Sequence, residues 1–134
     1  MSLRFKFGKA SGGEPMPILP IQLLDEDGNL LTDEESAIVD TGSDGTIIPI
    51  SILQAARLRP NRQRRKLFTV QYSNPEETLF GYSVAVQIGE LQLFDVDIFG
   101  SRTINDVIIG RNILNRLIFT YHGSQHLLEI LDAE

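Results

Sequence analysis

Ala37-Ile38-Val39-Asp40-Thr41-Gly42-Ser43-Asp44-Gly45-Thr46-Ile47-Ile48-Pro49 carries one apolar run through an acidic, glycine-containing break into another. An aspartate at the end of a hydrophobic strand needs a partner or a purpose, because burying a lone carboxylate is costly. Two readings fit the bare tripeptide Asp40-Thr41-Gly42. In one, the aspartate caps an Asx-type turn and Gly42 supplies positive φ. In the other, the carboxyl is chemical equipment presented at a strand end.

Working outward, strand signals dominate. Ile18, Leu19, Ile21, Leu23 and Leu24 lead into Asp25-Glu26-Asp27-Gly28-Asn29, a turn signal. A hairpin over roughly 18 to 39 follows, its return strand Ser36–Val39 delivering Asp40 at the end. After Pro49, Ile50 to Leu58 holds helix formers, and Pro60 stops the run. Leu67–Tyr72 and Thr78–Ile88 read as strands around a hairpin tip, Ser73-Asn74-Pro75-Glu76-Glu77. Tyr82, Val84, Val86 and Ile88 alternate with Ser83, Ala85 and Gln87, the period of a strand with one buried face. Leu91 to Phe99 and Val107-Ile108-Ile109 extend the pattern. Ile113, Leu114, Leu117 and Ile118 have helical spacing, before a strand near Phe119–Tyr121 and a last one from Leu127 to Leu131. Many short strands with one or two short helices predict an all-β, closed β-barrel-like fold.

Composition narrows the function classes. A chain of 134 residues with 42% apolar and 22% charged residues fits one globular domain, expected to span 1–134. It has no cysteine, hence no disulfide or thiolate metal site, and only His122 and His126 offer imidazole. No cofactor or metal is expected. The N-terminus lacks a signal peptide's apolar core, and no run of about 18 apolar residues occurs, so cytoplasmic residence without membrane insertion is the expectation. A net charge of -6 argues against a general nucleic-acid binder. Six of the twelve basic residues nevertheless fall between Arg57 and Lys66. That run reads as a solvated connection or as a dock for an acidic partner; no aromatic residue interleaves it, as base stacking would favour.

A second segment decides between the readings of Asp40. Asp106-Val107-Ile108-Ile109-Gly110-Arg111-Asn112-Ile113-Leu114 follows 70 residues on, from Asp40 to Gly110. Together the two segments resemble the catalytic loop and the apolar-apolar-Gly-Arg-Asn segment of the retropepsin-like aspartic proteases, across roughly residues 18 to 121. The resemblance implies an acid-protease barrel with Asp40 as catalytic aspartate. It implies that Thr41 bonds across a dimer axis and that Gly42 lets a peptide backbone approach. Ser43, by its hydroxyl, would donate to the ionised carboxylate, favouring that form and an acidic pH optimum. Ile108-Ile109-Gly110 would pack beneath the loop, and Asp44 would meet Arg111 in a bidentate contact.

Peptide hydrolysis by this route needs two carboxyls, and this chain has one such loop. A homodimer is therefore the expected assembly, acting on peptide or protein substrates. One departure stands out. The hairpin that would cover the substrate, with Tyr72, Ser73 and Asn74 as its contact residues, has no glycine at its tip. That leaves a second reading open, a non-catalytic retropepsin-fold binding or dimerisation module. Gly81 reads as a bulge or a hinge, His122 and His126 as surface residues, and Leu3–Phe7 as an edge strand that in this family interleaves with a second chain.

Overall fold

The computed structural model describes residues 2–9, 13–70 and 74–133. Strands β1 (Leu3–Lys6), β2 (Gly8–Lys9), β3 (Pro15–Met16), β4 (Ile18–Leu24), β5 (Glu35–Val39) and β6 (Thr46–Pro49) lead into helix α1 (Ile50–Ala55). β7 (Asn61–Val70), β8 (Asn74–Ile88), β9 (Leu91–Ser101) and β10 (Val107–Ile109) follow. Helix α2 (Arg111–Leu114), β11 (Leu117–His122), a 3-10 turn (Gly123–Gln125) and β12 (Leu127–Ala133) complete the chain. The largest sheet runs β4-β5-β10-β6-β9-β8-β7, and β4 pairs back onto β8, closing a six-stranded barrel as expected.

Period-2 patterning builds this barrel. In β4, Leu19, Ile21 and Leu23 point inward and are at most 2% exposed. In β8, Tyr82, Val84, Val86 and Ile88 are buried while Ser83 is exposed. Ile48, Leu53, Ile98, Ile109 and Ile113 meet them in one cluster. Full burial of each such aliphatic side chain contributes about 1.5–3 kcal/mol, which holds the short strands in register. The first hairpin turns at Asp25, whose Oδ1 accepts the backbone N–H groups of Asp27 and Asn29. Those bonds, the Asn29 N–H foremost, hold the Asp25 carboxyl below its ordinary pKa.

Several boundaries differ from the sequence reading. Helix α1 ends at Ala55 rather than Leu58, because Arg57 turns the chain at a left-handed φ of 58°. Residues 61–66 are strand rather than connection, so four of the six clustered basic residues lie in β7. Asn74 pairs with Val70 and Glu77 with Phe68, so 74–77 belong to β8 and not to a hairpin tip. Leu117 and Ile118 are strand, and α2 covers only Arg111–Leu114. At Gly81 the irregularity lies on the opposite strand: Asn61 pairs with Gly81 and Arg65 with Phe80, so β7 bulges.

β8 is shared. On one edge its first half pairs with β7, and its second half, Ala85–Gln87, pairs with β4. On the other edge β9 pairs with Phe80–Ile88, so residues 74–79 are held by β7 alone.

The termini form a separate sheet, β1-β12-β11. Within this chain Leu3 pairs with Ile130 and Phe5 with Leu128. Glu129 of the central strand joins its neighbours, lying 3.1 Å from His122 Nε2 on β11 and 3.5 Å from Arg4 on β1. His122 is thus half-buried and paired rather than a plain surface residue; His126 is exposed and stacks on Phe7.

The His122 hydrogen bond is the main reason that the Glu129 carboxyl titrates below its ordinary 4.5. A depressed folded-state pKa stabilises the fold above the unfolded value, and that stabilisation disappears as pH falls through the folded one. Thermal melts from neutral to strongly acidic pH are expected to show Tm falling below about pH 4.5, with a shallower fall in Glu129→Gln.

Candidate active site

Strand β5 delivers Asp40 to a surface loop. β5 and β10 run parallel with Val39 opposite Ile109, and the Asp40 N–H donates to the Ile109 carbonyl at 3.0 Å. The chain then turns on itself. The Gly42 N–H donates to Asp40 Oδ1 at 2.9 Å and the Ser43 N–H to the Asp40 carbonyl at 3.2 Å. The Asx turn considered from the sequence is therefore real, but Gly42 has no positive φ. A side chain at Gly42 would instead place its Cβ 3.1 Å from Oδ1. The turn and a chemical role for Asp40 are thus compatible.

What fixes this loop is the segment after β10. A Cβ on Gly110 would sit 2.1 Å from the Gly45 carbonyl oxygen and 2.9 Å from that of Ser43. Only glycine permits such an approach. Around it, the Arg111 N–H donates to the Ser43 carbonyl at 2.8 Å and the Asn112 N–H to that of Asp44 at 3.3 Å. Ile109 faces the barrel core, fully buried. Ile108, its neighbour on the opposite face, instead joins a second apolar cluster with Ile47, Leu79, Phe99 and Ile104.

Arg111 forms an ion pair with Asp44, as the resemblance implies, but not a bidentate one. One guanidinium nitrogen bonds Asp44 Oδ1 and the other donates to the Thr41 carbonyl at 2.8 Å. The fork thereby grips both ends of the Asp40 loop, and an arginine's planar spread is what allows two separate acceptors. Both partners are substantially exposed, so the pair positions more than it stabilises.

Ser43 is a correction. Its hydroxyl donates to the Gly45 carbonyl at 2.8 Å, not to Asp40. A hydroxyl has one proton to give, so the expected lowering of the carboxyl pKa by Ser43, and the acidic optimum inferred from it, lose their support. Thr41 is exposed. Asn74 opens β8, whereas Tyr72 and Ser73 lie outside the described residues.

Two further residues matter that sequence reasoning passed over. Thr46 is fully buried; its hydroxyl donates to Asn112 Oδ1 at 2.8 Å and accepts the Gly110 N–H at 3.2 Å. Asn112 then donates from Nδ2 to the Asp97 carbonyl at 2.7 Å. This network ties β6, β9 and the Gly110 segment together under the loop. A signal existed: a threonine heading the apolar run Thr46-Ile47-Ile48 must find hydrogen bonds when buried. Among the described residues, no group of three or more His, Asp or Glu side chains is arranged to hold a metal ion.

These contacts set two stability expectations, both measurable by chemical denaturation. Gly110→Ala is expected to cost at least about 3 kcal/mol, because the two backbones must separate. Asn112→Ala is expected to cost about 1–3 kcal/mol, by leaving the Thr46 hydroxyl without its buried acceptor.

No protein-family model and no curated protein matches the chain. Solved structures do. A retropepsin-like aspartic protease from Rickettsia conorii superposes with a TM-score of 0.62 at 14% identity, over 97% of this chain and 91% of that one. EIAV protease, in complex with the inhibitor HBY-793, superposes with a TM-score of 0.55, also at 14% identity, over 80% of this chain and 92% of that one. No helix is long and apolar enough to cross a membrane among the described residues. The closed barrel, the Asp40 loop and the glycine-crossed segment beneath it give this chain the retropepsin-like aspartic protease fold.

Proposed function

We propose that the chain is an aspartic endopeptidase that acts as a homodimer in the cytoplasm, each subunit contributing one Asp40. The observation that carries this reading is the geometry of the loop. A carboxyl stands at its start, directly after β5, and the loop is pinned by Gly110 and by Arg111. Pinning of that kind serves a group that must keep its position while its protonation changes.

The chemistry follows from having two such carboxyls together. Placed about 3 Å apart, they share one proton, a general property of aspartic proteases. The ionised Asp40 takes a proton from water as the water oxygen bonds to the scissile carbonyl carbon. The partner's Asp40, protonated, gives its proton to the carbonyl oxygen. Collapse of this intermediate breaks the C–N bond, with a proton delivered to the leaving nitrogen. No cofactor enters.

A second copy has a surface to meet. The terminal sheet exposes Ile118 (58%), Tyr121 (58%) and Leu131 (44%), and β11 is one of its edge strands. Apolar side chains gathered on a sheet with open edges support association. Thr41 is exposed at the loop, and in a dimer its hydroxyl would bond across the axis. The alternative, a binding or dimerisation module that does not cut, is favoured by one feature. The segment Asn74-Pro75-Glu76-Glu77 offers no glycine to a moving cover and adds two negative charges.

Wild type and Asp40→Asn, tested on a diverse peptide library from acidic to neutral pH, separate the two readings. Cleavage by wild type alone, with a bell-shaped pH profile and inhibition by a statine-type mimic, is the expected result. Equal inertness of two well-folded dimers supports the binding module. Sedimentation showing a monomer at high concentration would overturn the shared site. Arg111→Lys is expected to lower kcat/KM roughly ten- to a hundredfold, since lysine cannot hold Asp44 and the Thr41 carbonyl together. Its loss of stability is expected to stay within about 1 kcal/mol.

A further inference from the structure

We propose that the groove between residues 30–35 and helix α1 docks a basic polypeptide segment carrying an apolar anchor. The groove has a volume of about 510 Å3 and is lined from β4, the 30–35 segment and α1, without Asp40 or its loop. Leu30, Leu31 and Ile52 supply its apolar surface, and Leu30 is 59% exposed. A single exposed leucine is ordinary. One set among other apolar side chains in a concave surface offers an incoming side chain area to bury.

Charge selects the occupant. Both ionisable residues lining the groove, Asp33 and Glu35, are acidic. The bias reaches beyond the lining: the stretch from 13 to 56, which includes every lining residue, contains nine of the eighteen acidic residues and no lysine, arginine or histidine. The next cation along the chain is Arg57, beyond Ala56 at the end of the groove. An acidic or neutral partner would lose hydration here without gaining a counter-charge, whereas lysine or arginine beside an apolar residue satisfies both surfaces. The groove is open, and among the described residues no buried polar side chain lacks a partner. It therefore suits an extended segment more than an enclosed small ligand.

Glu35 begins β5 and Asp40 follows its end, so the groove lies roughly 16 Å along that strand from the catalytic loop. Docking at this distance does not depend on whether the cleft cuts.

The test uses the Asp40→Asn protein, so that no probe is consumed. The probe is a fluorescein-labelled twelve-residue peptide repeating Lys-Leu-Arg, with a Glu-Leu-Gln repeat as control. Anisotropy is expected to show binding of the basic peptide only, weakening as salt rises. Backbone amide shifts should cluster at 22, 30–35 and 51–56. Asp33→Asn combined with Glu35→Gln is expected to weaken binding roughly tenfold, and Leu30→Ala by about threefold. Circular dichroism should show both variants folded, since Leu30 and Asp33 are exposed and Glu35 is only partly buried. Shifts centred on 40–44, shifts with no cluster, or unchanged affinity in both variants would overturn the assignment.

Discussion

The architecture depends on one close approach, that of the Gly110 backbone to the Gly45 carbonyl. It brings a segment 65 residues later in the chain directly beneath the loop that bears Asp40. The long-range contacts at the site depend on it. The Arg111 and Asn112 amides reach the Ser43 and Asp44 carbonyls only because the backbones are this near. The Thr46 hydroxyl accepts the Gly110 N–H at the same crossing. The barrel supplies what makes so tight a crossing stable: β10 is held by β5 on one side and β6 on the other.

Much of this was legible in the residues. An acidic break between apolar runs and a glycine after an apolar triplet are local patterns, and their pairing identified the fold before any coordinates. Alternation in 82–88 likewise identified a barrel strand, because one face had to be buried. Less legible were choices between near-equal local options. The Ser43 hydroxyl had two acceptors within two or three residues, and only the conformation of the turn decides for Gly45. β7 escaped notice at its basic end because it lies at the sheet margin and pairs on one side only. Such a strand need not alternate, so Arg62 to Lys66 carried no strand signal. The Glu129 contacts with Arg4 and His122 arise from cross-strand register, which no single segment encodes.

The distribution of charge separates tasks along the fold. Residues 13–56 include both the Asp40 loop and the acidic groove and contain no cation, so any counter-charge comes from elsewhere. Arg111, the cation at the loop, arrives only from the segment after β10. The loop thus gains its counter-charge when that long-range crossing forms, which links local electrostatics to completion of the tertiary structure. The groove has no comparable partner among the residues that line it.

β8 has a mechanical consequence. It is one strand of 15 residues, and its pairing on one edge passes from β7 to β4 between Gly81 and Ala85. Over Tyr82–Val84 only the β9 edge is paired. The strand is therefore a cantilever, rooted in the barrel wall and projecting roughly 17 Å from residue 79 to residue 74. A force on the projecting hairpin acts on the root through a lever of that length. Its bending moment is greatest where support is one-sided, beside the buried ring of Tyr82. The stiffness of the projecting arm is thus set inside the barrel, by the packing at its root.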